Sequence, residues 1–389
     1  MSQNSNLTRA KNDEFYTHLT DVETELKHYR QHFKNKIVYC NCDDPTESAF
    51  WRYFYRSFNF LKLKKLISTH YNQDGLPSYA LIYEGGHDNA ENFDEGVTNI
   101  QLKGNGDFSS DECIKYLKKS DIVVTNPPFS LSRAYVRQLM DYHKKFIIIG
   151  NKNWINYKEI FPLLMNRQIW IGQNNVKEFT QPDGSIKKFG NVGWFTNVPL
   201  NKSTDQTVIW KQFDQKQNPA YDNYAAFEVS KVADIPVDTE IEATIDADNL
   251  AGWQKTYQDD LTVLSSDNKV ATVKIKNPIW GCPITVLDKY NPQSNVDTHN
   301  LAKEYDILGI TKGTGMDPIN KVQTIKKYTG AVQISQAGKR TNGSKLNTGA
   351  NICYDQKPIK GMYYTADNAN GYLHQVYGRV LIRKKRGNN

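Results

Sequence analysis

The chain has 389 residues, 39% of them apolar and 23% charged, a balance that fits a soluble globular protein and not a disordered one. Cores stop growing beyond about 250–300 residues, so more than one domain is expected. No run approaches the roughly 20 apolar residues that span a bilayer, and the leading MSQNSNLTRAKNDEF lacks a secretory apolar core, so a cytoplasmic location without a membrane partner is expected. Five cysteines (Cys40, Cys42, Cys113, Cys282 and Cys353) make an odd, sparse set that argues against a disulfide framework.

The net charge of +7 is uneven: residues 320–389 carry thirteen Lys or Arg against Asp355 and Asp367, a local +11 that leaves −4 elsewhere. Such a basic segment suits a polyanion backbone, although a solubilising tail is the plainer alternative for Arg383-Lys384-Lys385-Arg386. Residues 234–264 instead hold eight acidic residues against Lys255, a sign that disfavours phosphate contact.

In chain order, Val22, Leu26, Tyr29 and Phe33 recur at helical spacing and predict a helix over Asp21–Phe33. Ile37–Cys40 reads as a strand, Ser48–Phe60 as an aromatic-rich helix, and 64–71 and Tyr79–Tyr83 as further strands. Ser110–Lys118 predicts a helix, Asp121–Val124 a buried strand, Leu131–Tyr142 a helix and Phe146–Gly150 a strand. A helix near Tyr157–Leu164, a strand at Gln168–Ile171 and a hairpin around Gly193–Thr196 follow. This alternation predicts an α/β fold with a mostly parallel sheet covered on both faces, whose ligands sit beyond the carboxyl ends of the strands. After residue 200 the alternation fades into loop-rich α+β or β structure. The expected domains are 1–235, an acidic insertion or subdomain at 236–280, and a basic region at 281–389.

The sharpest chemical signal is Asn126-Pro127-Pro128-Phe129 at the end of the DIVVT strand. An amino nitrogen conjugated with an aromatic ring is a poor nucleophile. An Asn side-chain oxygen and the carbonyl of the next proline can each accept one of its hydrogens and favour a geometry in which the lone pair attacks. Paired prolines stiffen the turn and offer no competing N–H, and Phe129 can stack on an extruded base. Asp107-Phe108, in GNGDF, can serve a base or form an ordinary turn. Asp43-Asp44-Pro45 ends the first strand, where a carboxylate can meet a cationic ligand. Metal binding by Cys40, Cys42, Asp43 and Asp44 is discounted for want of nearby Cys or His ligands, so no metal site is expected.

DEFYT (13–17), IVYCNCDDP (37–45), GDF (106–108) and DIVVTNPPFSL (121–131) together resemble the EcoRI-type adenine-specific DNA methyltransferases, best over 10–235, with PITVLDKYNP (283–292) and YDILGI (305–310) extending the likeness. The resemblance implies a Rossmann-like, S-adenosyl-L-methionine-dependent sheet with an additional α+β target-recognition region, and S-adenosyl-L-homocysteine as product. It implies Asn126, Pro127, Pro128 and Phe129 as the amino-group clamp and stacking residues. Phe15, Tyr16, Thr17, Asp43, Asp44, Pro45, Asp107 and Phe108 become cofactor residues, the target base remaining a competing ligand for the last two. The partner is double-stranded DNA, flipped at an adenine; a companion restriction endonuclease or phage anti-restriction setting and a monomeric state are further expectations. Lys339, Arg340 and Lys345, in a Gly/Asn/Ser-rich stretch, are the first candidates for DNA contact. Cytosine N4 methylation, RNA adenine methylation and a non-catalytic DNA-binding role are the alternatives. In two places the chain departs from methyltransferases at large. Thr46-Glu47-Ser48-Ala49 stands where a Gly-rich turn is usual, and the ribose ligand is open among His70, Asp74 and Glu84.

Overall fold

The computed structural model describes residues 16–42, 44–72, 76–166, 168–181, 184–199, 211–289, 301–311, 326–341, 346, 349–376 and 378–386. Phe15, Asp43, Asp74 and Lys345 lie outside them. Two compact units result: Met1–Ser203 with Gln293–Asp297, and Thr204–Pro292 with Thr298–Asn389. Among the described residues no helix is long and apolar enough to cross a membrane.

The first unit is α/β, built on a nine-stranded mixed sheet. Its strands are β1 (Tyr16–Thr17), β2 (Ile37–Asn41), β3 (Lys65–Thr69), β4 (Tyr79–Tyr83), β5 (Val97–Gln101), β6 (Ile122–Thr125), β7 (Lys145–Asn151), β8 (Trp170–Thr180) and β9 (Ile186–Thr196), in the spatial order β1-β8-β9-β7-β6-β2-β3-β4-β5. Only the central β3, β2, β6 and β7 run parallel; every other pairing is antiparallel. The expectation of a mostly parallel sheet is therefore corrected. Parallel neighbours need a long crossover, whereas β4–β5 and β8–β9 follow each other directly and pair as hairpins. The short strand expected at Gln168–Ile171 is the start of the eleven-residue β8.

Helices α1 (Leu19–Leu26), α2 (Ala49–Arg56), α3 (Phe58–Leu61), α4 (Asp111–Lys119), α5 (Ser132–Asp141) and α6 (Phe161–Met165) accompany these strands. The helix predicted over Asp21–Phe33 becomes α1 and a 3-10 segment at Lys27–His32, yet Val22, Leu26, Tyr29 and Phe33 are all buried as their spacing requires. The helix predicted over Ser48–Phe60 breaks at Ser57, and Ser48 caps its first part by accepting from the Trp51 amide. The rings of Phe50, Trp51, Phe54 and Tyr55 join Val38, Val124, Ile147 and Trp194 in one core. This core fixes the helices against the sheet and leaves the carboxyl ends of its strands to build a site.

The second unit holds three antiparallel or mixed sheets. β10 (Phe227–Glu228), β14 (Ile279–Pro283), β15 (Tyr305–Ile310) and β21 (Arg379–Lys384) form one, ordered β10-β14-β21-β15. β11 (Glu240–Asp246), β12 (Leu261–Ser266) and β13 (Val270–Lys276) form a second, with α7 (Leu250–Tyr257) between β11 and β12 in sequence. β16 (Val332–Ile334), β17 (Arg340–Thr341), β18 (Asn351–Tyr354), β19 (Tyr363–Thr365) and β20 (Tyr372–Gln375) form the third, ordered β17-β16-β19-β20-β18.

The compact units divide at Ser203/Thr204, where the sequence reading placed a boundary at 235. The reason is aromatic packing: Phe227 meets Trp253 at 5.1 Å and Trp280 at 5.9 Å, which ties 211–235 to the second core. Residues 236–280 are an integral part of that unit, since Asn249 bonds the Asp222 carbonyl and Asp246 pairs with Lys326.

Candidate active site

β2 leads to β3 on one side, while β6, its other neighbour, leads to β7 on the opposite side. Chain connections diverge at that point, so a crevice opens beyond the carboxyl ends of β2 and β6. Asn41 and Thr125 end these strands, and the Thr125 hydroxyl donates to the Asn41 carbonyl. Tyr135 of α5 donates its hydroxyl to Asn41 Oδ1; burial holds its pKa well above the ordinary phenol range, so it remains a donor.

Directly after Asn41, Cys42 has φ +76°. Asp44 Oδ1 accepts from the Thr46 amide at 2.9 Å, the Thr46 hydroxyl at 2.8 Å and the Tyr79 hydroxyl at 3.0 Å. Its Oδ2 lies 3.7 Å from His70 Nε2. The His70 ring stacks on Tyr79 at 5.1 Å, and its Nδ1 is 2.9 Å from the Ser78 hydroxyl. His70 follows β3 at its carboxyl end, within the candidate site. Glu84 does not: β4 is antiparallel to β3, so its last residues lie beside the amino end of β3, where Glu84 pairs with Lys65 at 2.7 Å.

The GNGDF segment reaches the same place. Gly106 has φ +79°, and a Cβ there would stand 1.8 Å from the His70 carbonyl oxygen, so this approach requires glycine. The Asp107 backbone follows directly, and its Oδ1 accepts from the Ser109 amide at 2.7 Å and the Ser109 hydroxyl at 2.5 Å. The Phe108 ring meets Tyr135 edge-on at 5.0 Å, and Gln138 Nε2 donates to the Phe108 carbonyl at 2.9 Å. Asp44, Pro45, Asp107 and Phe108 thus gather around the ends of β2 and β3. Asp44 and Asp107 each accept hydrogen bonds of their own turn at Oδ1, and Asp44 Oδ2 faces His70; such carboxylate acceptors fit a ligand carrying a cationic amino group and ribose hydroxyls.

Asn126 is 7% exposed and sits directly after β6, with Pro127 buried behind it. Phe129 opens a single 3-10 turn, closed by the Leu131 amide on the Pro128 carbonyl at 3.0 Å. Its ring is met edge-on by Trp154 at 6.0 Å, Phe189 at 6.1 Å and Phe179 at 6.3 Å. Trp154 can lie there because Gly150, at the end of β7, carries no Cβ; one would fall 2.2 Å from the indole. Thr17 of β1 pairs across from Phe179, so Tyr16 and Thr17 border this aromatic wall and not the turn after β2. The sequence reading missed Tyr135, Tyr79, Trp154 and Phe179. A signal existed for Trp154: KNW follows FIIIGN at the carboxyl end of β7, the strand beside β6.

In the second unit, Lys339 lies in the turn of the β16–β17 hairpin and Arg340 begins β17, an edge strand; both are exposed. Four other cations of the basic region are held in ion pairs, three of them largely inside the unit and Arg386 at its surface. Arg379 pairs with buried Glu228 at 2.6 Å, Lys326 lies 3.3 Å from Asp246, and Arg383 and Arg386 share Asp260.

An Asn-Pro-Pro-Phe turn at a strand-end crevice, opposite a carboxylate-bearing turn, defines the class of amino-group methyltransferases. Residues 4–246 match the family model described as adenine-specific methyltransferase EcoRI, and the chain belongs to that family. The type II methyltransferase M.EcoRI of Escherichia coli is 38% identical over 314 residues, 73% of this chain and 85% of the relative. M.MgeORF184P of Mycoplasma genitalium is 30% identical, covering 80% of this chain and 90% of its own length. M.MpnI of Mycoplasma pneumoniae is 37% identical over 59% of this chain and 76% of its own. No solved structure matches the chain.

Proposed function

We propose that this protein transfers a methyl group from S-adenosyl-L-methionine to the N6 amino group of an adenine flipped out of duplex DNA. The observation that carries the reading is the buried Asn126 with its rigid Pro127-Pro128-Phe129 turn at the crevice between β6 and β2, in a chain of an adenine-specific family. The cofactor supplies an electrophilic methyl group on a sulfonium. The sheet is read as Rossmann-like: Asp44 and Asp107 bind the cofactor's polar groups, Phe108 packs on its adenine, and Tyr16 and Thr17 close the site beside Phe129.

Asn126 Oδ1 and the Pro127 carbonyl each accept one hydrogen of the target amino group. This withdraws the nitrogen lone pair from ring conjugation and aims it at the methyl carbon. The new N–C bond would replace the methyl group's bond to sulfur, with S-adenosyl-L-homocysteine as the leaving group, and one amino hydrogen would leave as a proton along those acceptors to water. Phe129, backed by Trp154, Phe179 and Phe189, offers an aromatic wall to the base, which replaces part of the stacking lost on flipping.

The second unit is read as the DNA-holding part, with Lys339, Arg340 and Lys345 on phosphates or base edges. Pairing with a restriction endonuclease that shares the recognition word gives such a modification its use. Incubation of unmodified DNA with the protein and cofactor, then sequencing that maps modified bases and nucleoside analysis, tests the reading. N6-methyladenine confined to one word is the expected result. N4-methylcytosine alone, or methylation of RNA and not DNA, overturns it.

A further inference from the structure

We propose that the loop joining β18 to β19 is a preformed finger that enters a groove of the DNA, with Ile359 against the bases and Lys360, Lys339 and Arg340 on the flanking phosphates. The inference rests on the reading of duplex DNA as substrate. Ile359 is 92% exposed, more than any other large apolar side chain among the described residues, and Met362 on the same loop is 51% exposed. Isolated exposed apolar residues are ordinary, but this one is held out by a built support.

Gln336, in the turn of the β16–β17 hairpin, donates its side-chain amide to the Pro358 carbonyl at 2.9 Å and the Gly361 carbonyl at 2.6 Å. Those two bonds clamp the base of the tip and leave Ile359 and Lys360 projecting between them. Gly361 turns the chain at φ +83°, and Lys357 braces the loop over the Tyr363 ring at 5.4 Å. A cavity of 460 Å³ lies between the loop residues 355–359 and Tyr354 and His374 of the sheet.

Charge selects the occupant. Lys339, Arg340 and Lys360 are exposed and, among the described residues, form no ion pair, whereas Arg379, Arg383 and Lys326 are paired inside the unit and the exposed Arg386 is paired with Asp260. Asp355 is the single acidic residue of the loop, and the hairpin turn adds none. An apolar tip rimmed by Lys and Arg is what proteins that wedge into the minor groove present, and the cations complement the phosphate chains on either side.

The test compares full-length wild type, Ile359→Ala and Lys360→Gln on a short duplex carrying the methylated word and on a scrambled duplex, over a salt series, with end-to-end fluorescence transfer reporting bending. Ile359→Ala is expected to weaken target binding on the order of tenfold and to reduce bending, with an unchanged melting temperature and salt slope. Lys360→Gln is expected to flatten the salt slope and weaken both duplexes alike. Ile359→Ala that binds and bends both duplexes as wild type does overturns the finger, and continued methylation by that variant keeps the DNA reading intact. Wild type that methylates no DNA sinks the underlying reading instead. A change of oligomeric state in Ile359→Ala, seen by sedimentation with DNA binding unaltered, assigns the tip to self-association and overturns the proposal.

Discussion

Tyr135 of α5 donates its hydroxyl to Oδ1 of Asn41, the last residue of β2, and so ties the helix after the Asn126 turn to the strand before the Asp44 turn. Both groups are buried, and the same ring packs edge-on against Phe108. One side chain therefore aligns three segments of the candidate site. Tyr135→Phe keeps the ring contact and strands the Asn41 oxygen. It is expected to cost about 1–3 kcal/mol of stability in urea denaturation and to weaken S-adenosyl-L-homocysteine binding in calorimetry. Unchanged values for both would remove Asn41 as the joint between the segments.

Asn126→Ala is expected to leave cofactor affinity near wild type and to slow single-turnover methylation. Loss of one hydrogen bond that stabilises developing charge costs about 3–4 kcal/mol, or on the order of 10²–10³ in rate. A rate within about threefold of wild type, a difference under 1 kcal/mol, excludes Asn126 from the chemistry.

Asp107→Ala separates the two ligands that compete for the GDF segment. A cofactor role predicts weaker S-adenosyl-L-homocysteine binding with little change in affinity for DNA. The opposite pattern transfers Asp107 to the target base. Because Asp107 Oδ1 also receives the Ser109 amide and hydroxyl, Ser109→Ala serves as the control for loss of the turn alone.

Glu25 supplies a stability prediction. Its buried carboxylate accepts from the Gln173 and Asn174 amides at 2.8 and 2.7 Å, from Asn174 Nδ2 at 2.9 Å and from Tyr29 at 2.8 Å, joining α1 to β8. Glu25→Ala strands these donors in the interior and is expected to lower stability by about 3 kcal/mol, read from the denaturation midpoint. Burial raises the Glu25 pKa. An acid with a raised folded-state pKa binds its proton more tightly folded than unfolded. Stability from this group is therefore fullest below its unfolded-state pKa and declines as pH rises through the folded-state value. Glu25→Gln should remove that decline from the acid limb of the stability profile.

Neutralising Lys339, Arg340 and Lys345 together is expected to lower DNA affinity and flatten its dependence on salt. Each released phosphate contact reduces the slope by about one. Binding of target and random DNA at wild-type strength across the salt series would assign these residues to solvated surface.

Local chemistry was enough to read the core of the site from sequence. The run DIVVTNPPF announces a buried strand and a rigid turn, since β-branched residues favour strands and prolines stop them, and β6 ends one residue from the expected place. Val22, Leu26, Tyr29 and Phe33 declared a buried face by spacing alone, even though half of that helix winds as 3-10. Asp44 stands out in sequence as a carboxylate in a turn at a strand end, whereas the cofactor reading of Asp107, in an ordinary turn composition, rests on the family resemblance.

Other features depended on partners distant in sequence. No local pattern says that β4 runs antiparallel to β3, and that direction alone sends Tyr79 to Asp44 and Glu84 to the far end of the sheet. Nor does composition reveal which charges cancel. An acidic stretch and a basic segment looked like separate regions, but Asp260 and Asp246 receive Arg383, Arg386 and Lys326 within one unit. Charge counts sum over sequence, whereas fields and ion pairs depend on distance, which folding across 80–126 residues of chain sets. Those pairings leave the β16–β17 hairpin and the Ile359 loop with exposed cations, a distinction that only the tertiary structure decides.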